Sequence, residues 1–329
     1  MHPSGGTAAR RIVQKADRIL SMLRLQDILS FQDIIGRRYH TAGMIAVLYD
    51  GDTVYAVAGE PELVFVRIAR PTPALIQAIR LMLHRNTAGA QMDRVLWPEL
   101  ECRWPQSKDF CGFLAKSIPG LEKMVPLADW IKTQNGCGLP VRERVPVGRS
   151  LLQSIRQVCQ GPDGYILGRF SAENFAVAPW NQVYFVDSWH CGNLICDHVG
   201  KAAPEQQVNT MDIGRYHRLH DSFQLGMLMF ELLTGLPAFG GHDPGAEFSS
   251  QQIGNMVADG ESVFFYEYLP ECGAVLERLK QEAPHEEALL RRTLDYADWE
   301  DYTQFRPDME EWFETLLVAN KNIQNGGAY

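Results

Sequence analysis

Two stretches of the 329-residue chain carry side chains able to do chemistry. LGRFSAENFAVAPWNQVYFVDSW, from Leu167 to Trp189, holds a guanidinium at Arg169, a hydroxyl at Ser171, a carboxamide at Asn174 and a carboxylate at Asp187. Arg169 cannot accept a proton at any physiological pH, so it is no general base. WHCGNLICDH then places His190, Cys191, Cys196 and His198 within nine residues, four potential soft-metal ligands. Structural zinc sites use short knuckle pairs such as CxxC, and this spacing is off that pattern. It favours loop residues with a buried cysteine over a metal site.

The elements that must position these groups are read from hydrophobic periodicity. Ala8 to about Ser30 repeats apolar residues at helical spacing with Arg and Lys between them, an amphipathic helix docked on its own domain. GMIAVLYDG, TVYAVAG and ELVFVRIA are strand runs, broken at Asp50-Gly51-Asp52 and Gly59-Glu60-Pro61. Thr72 to Arg85 has helical period, and DRVLWPELECRW and DFCGFLAKSI read as two further strands. MVPLADWIK opens a predominantly helical half with a helix at Val147–Gln160 and the buried helix HDSFQLGMLMFELLTGLPAF. Two more helices come after it, from Glu286 onward. RYHRLH (Arg215–His220) reads as a surface ahead of the buried helix, and the acidic, aromatic DYADWEDYTQF as a solvated connector, with partner docking as its alternative.

Composition narrows the class. Apolar residues make up 46% and charged residues 22%, ordinary for a globular protein. A net charge of −9 argues against nucleic-acid binding. There is no apolar run near the length of a membrane span, and the N-terminus lacks a signal peptide's apolar core. Seven scattered cysteines suggest no disulfide framework, and a cytoplasmic protein is expected.

From about Ile34 to Val318 these pieces, in this order, resemble the protein-kinase fold, and in particular bacterial eukaryotic-like Ser/Thr kinases. The resemblance rests on GRFSAEN at the place of the catalytic loop and YFVDSW at the metal-binding strand. Ala203-Pro204-Glu205 matches the close of the activation segment, Asp221 opens the buried helix, and Arg306 stands in FRPDMEEW. It implies an α+β, two-lobed fold: a small, mostly β N-lobe with one helix, a larger α-helical C-lobe and a preceding N-terminal helix. The boundaries expected are tail and helix 1–33, N-lobe 34–126, C-lobe 127–320 and flexible tail 321–329. It also implies that Asn174 and Asp187, 13 residues apart, hold magnesium, that Asp221 braces the catalytic-loop backbone, and that Glu205 and Arg306 form a buried structural pair.

The same resemblance marks what is missing. An Asp should stand five residues before Asn174 to take the proton from the attacking hydroxyl, and Arg169 stands there. Ser171 replaces the catalytic-loop Lys. The glycine-rich phosphate loop is absent, with only Gly36 and Gly43 in its region, separated by RRYHTA. Arg67 occupies the place of the phosphate-binding Lys on the third strand, and the helix after it offers no Glu, only Gln77. Ser188-Trp189 comes directly after Asp187, with Trp189 able to plug the cleft or to pack in the core. His190 to Ala202 contains no Ser, Thr or Tyr to phosphorylate. The expectation is therefore a pseudokinase: a binding, scaffold or regulatory module in bacterial signalling, partnered by another protein. No catalytic residue and no required cofactor are assigned. ATP and magnesium binding through Arg67, Asn174 and Asp187 stays open, as does a weak Ser/Thr kinase or other ATP-dependent transferase using Asp187 and Asn174.

Overall fold

The computed structural model describes residues 28–48, 50–84, 92–159, 167–168, 170–191, 213–296 and 306–314. The amphipathic helix expected near the N-terminus lies outside them. The described residues fall into two compact units. One takes those up to Leu83 together with Pro98–Glu122, and the other takes His84–Trp97 and those from Lys123 onward.

The first unit is a closed antiparallel barrel. Its strands are β1 (Ser30–Asp33), β2 (Arg38–Val47), β3 (Thr53–Val57), β4 (Glu60–Arg67), β5 (Leu100–Arg103) and β6 (Phe110–Lys116), in the order β1-β2-β3-β4-β6-β5. Closure comes from β1 pairing β5 through Gln32 with Arg103 and Asp33 with Cys102. Phe31, Tyr39, Tyr55, Phe65, Cys102, Cys111 and Leu114 are buried together in its core. Phe31 stacks on Phe65 with ring centroids 3.9 Å apart. At Gly112 the backbone has φ +152, and a Cβ there would lie 1.9 Å from the Val66 carbonyl oxygen, so β4 and β6 approach only because this residue has no side chain. Helix α1 (Pro73–His84) comes after β4 and buries Ile79 and Met82.

Several expectations need correction here. The barrel has six strands, not five, so Arg67 closes the fourth strand. The sixth is β1, which starts at Ser30, inside the segment assigned to the N-terminal tail and helix. DRVLWPELECRW contributes only Leu100–Arg103 to the barrel, because Val95 bridges to Phe185 in the second unit instead.

The second unit holds a three-stranded antiparallel sheet, β7 (Val125–Pro126), β8 (Phe175–Val177) and β9 (Val183–Phe185), among helices. The helices are α2 (Leu127–Cys137), α3 (Val141–Cys159), α4 (Ile213–Thr234), α5 (Ser250–Asp259), α6 (Pro270–Glu282) and α7 (Pro284–Leu294). Helix α3 begins six residues before the expected Val147 and carries Pro146 inside it. Asp221 does not open the buried helix; α4 already runs from Ile213. From Asp221 to Leu233 most of α4 is buried. Residues 306–314 dock on it: Ser222 Oγ donates to the Pro307 carbonyl at 2.5 Å and receives the Trp312 indole N–H at 3.0 Å. No described helix is long and apolar enough to cross a membrane.

Candidate functional site

The second unit brings Asn174 and Asp187 together through a short hairpin. Strand β8 pairs β9 from Phe175–Phe185 to Val177–Val183, and Asn181, at φ +62, turns the chain between them. The hairpin is pinned from outside. Ser150 Oγ of α3 accepts the Val183 N–H at 2.8 Å and an Arg94 N–H at 2.9 Å. On its other side β9 exchanges backbone bonds with Arg94 and Leu96, each 2.9 Å.

This geometry leaves the Asn174 carboxamide engaged at both ends. Its Oδ1 accepts the Ser171 N–H at 2.8 Å, and its Nδ2 donates to the Asp187 carbonyl at 3.3 Å. The N–H groups of Val186 and Asp187 in turn donate to the Asn174 carbonyl at 3.0 and 3.2 Å. Asn174 thus staples the turn at Ser171 to the segment carrying Asp187, a duty that needs no metal. Both residues are buried. Ser171, read as the replacement for a catalytic Lys, caps the turn: its Oγ accepts the Glu173 N–H at 3.4 Å.

Asp221 of α4 reaches the start of the same loop. Its carboxyl accepts the N–H of Leu167 at 2.6 Å and of Gly168 at 2.7 Å. Burial pushes this carboxyl up to about 8, against the pull of the two donors. Arg169 itself, together with Glu205, Cys196 and His198, lies outside the described residues. Of the four soft ligands, His190 is half-buried and Cys191 is buried. Burial raises the Cys191 thiol, which sits 3.8 Å from the Asp187 carbonyl, and a thiol held protonated is a poor metal ligand. Trp189 is buried. Arg306 is also buried, its guanidinium 4.7 Å above the Phe223 ring, and desolvation lowers its pKa to about 9.

In the first unit, Arg67 is exposed at the end of β4. Gly36 lies in the β1–β2 turn and Gly43 inside β2. If the strand bearing Arg67 takes the place of the family's third, the phosphate loop falls between β2 and β3, at Leu48–Asp52, and not near Gly36. That turn has Gly51 at φ +85. It is closed on itself: the Leu48 N–H donates to the Asp52 carbonyl at 2.8 Å and the Gly51 N–H to the Leu48 carbonyl at 3.0 Å. The buried Asp52 carboxylate accepts the Ala69 N–H at 2.7 Å. The N–H groups of Leu48 and Gly51 are thus spent internally, and the Asp50 and Asp52 carboxylates disfavour phosphate.

Two features escape sequence reasoning. Helix α1 is tied to the barrel by an ion pair, but with the cation on the helix: Glu101 of β5 receives Nε and Nη2 of Arg80 at 2.7 and 3.0 Å. Glu101 also receives Nε of Arg103 at 2.9 Å, and these donors hold its carboxyl below the usual range. Nothing in the spacing of residues 80 and 101 signals this pair. The second is Glu231 in α4, whose carboxyl is raised by burial and by the charge of Glu173, with Lys132 opposing. A carboxylate within the apolar run Phe223–Leu233 was its only signal.

No protein-family model matches the chain, and no curated protein matches it. Among solved structures, a double mutant of the Mycobacterium tuberculosis PknI kinase domain matches with a TM-score of 0.51 at 16% identity. The match covers 89% of this chain and 98% of that one. The fold is therefore protein-kinase-like, in a version whose strands β1–β6 close into a barrel.

Proposed function

We propose that this protein is a kinase-like binding module that does not transfer phosphoryl groups, and that it acts as a scaffold or regulator by engaging another protein in bacterial signalling. The observation that carries this reading is the side chain at the general-base position, where Arg169 replaces the carboxylate that would take the acceptor's proton. The residues present also fit a conventional magnesium–ATP site poorly. Asn174 spends both ends of its carboxamide on backbone, two N–H groups of the β2–β3 turn bond within the turn, and the helix–sheet ion pair runs from Arg80 to Glu101 instead of from a strand cation to a helix carboxylate. When bound in a working kinase, magnesium bridges the nucleotide phosphates and neutralises developing charge. Here Asp187 is the one carboxylate retained for that work.

A second reading, an unconventional ATP-dependent transferase, draws support from Asn174 and Asp187 standing side by side. Transfer of labelled phosphate from ATP to proteins of a bacterial lysate separates the two. The binding-module reading expects no incorporation above that of Asp187→Ala. Incorporation that disappears in Asp187→Ala would overturn it.

A further inference from the structure

On the first unit an open groove of about 390 Å³ runs beside α1 and the β5–β6 turn. Its apolar floor is Ile76 and Phe110, and its charged walls are Arg80, Arg103, Lys108 and Asp109. The two guanidiniums are fixed before any ligand arrives. The buried Glu101 carboxylate takes Nε and Nη2 of Arg80 (2.7 and 3.0 Å) and Nε of Arg103 (2.9 Å), with Arg103 Nη2 2.8 Å from it. Two of the five N–H donors of Arg80 and one of Arg103 are thus spent on positioning, and both side chains stay partly exposed, Arg80 at 47% and Arg103 at 39%. Ordering two long side chains is a main cost of anion recognition, and here the fold has already met it. Lys108 adds a third cation at a turn held by its N–H to the Trp104 carbonyl, 3.0 Å. Three cations against Glu101 and Asp109 leave one positive charge, on a chain whose net charge is −9.

We propose that this groove is a docking site for an acidic segment of a partner protein, one that sets a carboxylate on the fixed guanidiniums and an apolar side chain on Ile76 and Phe110. Charge complementarity selects the occupant: an apolar floor alone would take any greasy segment, whereas paired guanidinium forks match the planar carboxylate. The site deepens the reading of the protein as a binding module and rests on it.

The test uses the full chain and fluorescence anisotropy. The probe is a fluorescein-labelled octapeptide of alternating Glu and Leu, set against Lys–Leu, Ser–Leu and phosphoserine–Leu octapeptides. The Glu–Leu peptide is expected to bind, to weaken with rising salt, and to lose about tenfold in affinity in Lys108→Asn and in Ile76→Ser. Asn suits the left-handed backbone at position 108, so the first variant should keep its melting temperature. The proposal is overturned if the Glu–Leu peptide fails to bind, if Ser–Leu binds equally, if neither variant weakens binding, or if the phosphoserine peptide binds far more tightly than Glu–Leu. Because the readout is peptide binding, its failure leaves the phosphoryl-transfer question untouched.

Discussion

Replacing Asp221 tests how the catalytic-loop segment is held. Asp221 is 1% exposed and accepts the N–H groups of Leu167 and Gly168 at 2.6 and 2.7 Å, and Leu167 is fully buried. Asp221→Ala leaves two donors without an acceptor in a dry site, at about 1–3 kcal/mol each, so a loss of about 2–6 kcal/mol is expected. Burial raises the carboxyl to about 8, so near neutral pH the folded protein mostly holds it protonated. Asparagine keeps only one acceptor oxygen and sets an NH2 against the other backbone donor, so Asp221→Asn should cost about 1–3 kcal/mol, less than Asp221→Ala. The sign of the pH dependence comes from the same shift. The folded state binds the proton more tightly than the unfolded state, whose carboxyl titrates at its ordinary 3.8. Wild-type stability should therefore fall, relative to Asp221→Asn, as pH rises from the unfolded value toward 8. Urea unfolding followed by circular dichroism over that range measures all three quantities. An Ala variant losing less than about 1 kcal/mol would refute the bracing role. Wild-type stability that rises with pH relative to the Asn variant would mean that the two donors outweigh burial and the carboxylate is ionised.

Other outcomes concern the first unit. Glu101→Gln should lower stability by about 1–3 kcal/mol in denaturant titrations, a figure reduced from that of a fully buried pair because Arg80 is half exposed. Since the folded carboxyl is depressed, this contribution is present above the ordinary carboxylate pKa and is lost as pH falls through the lower folded value; a wild-type protein no less stable in acid relative to Glu101→Gln would contradict it. Gly112→Ala puts a Cβ 1.9 Å from a backbone oxygen and should abolish soluble expression or cost more than about 4 kcal/mol. Gly43→Ala, with nothing within 4 Å, should leave the melting temperature nearly unchanged.

Much of the fold was legible because β2, β3, β4 and β6 are β-branched or aromatic runs and α4 is apolar almost all round from Phe223 to Leu233. Strand β1 was not, because SFQD buries polar side chains. Gln32 and Asp33 are buried, and the Asp33 carboxylate accepts the N–H of Ile35 and Arg37 and the Tyr39 hydroxyl. Missing it left the barrel one strand short. Helices α5 and α6 went unread because each buries few residues, although Ser249 with Gln252 forms a capping box and Pro270 stands at the first turn of α6. The hairpin joining Asn174 to Asp187 was legible from their separation. The carboxamide's engagement with Ser171 was not, since local capping and metal binding use the same residue type at the same place. The expected Glu205–Arg306 pair has one partner outside the described residues, and Arg306 is seen only through its burial against Phe223 and Tyr296.

Transfer of labelled phosphate from ATP tests the central claim most directly, with the purified full chain, magnesium, and both itself and a bacterial lysate as acceptors. With a guanidinium in place of the proton acceptor, incorporation should not exceed that of Asp187→Ala. Incorporation clearly above that variant would contradict the account.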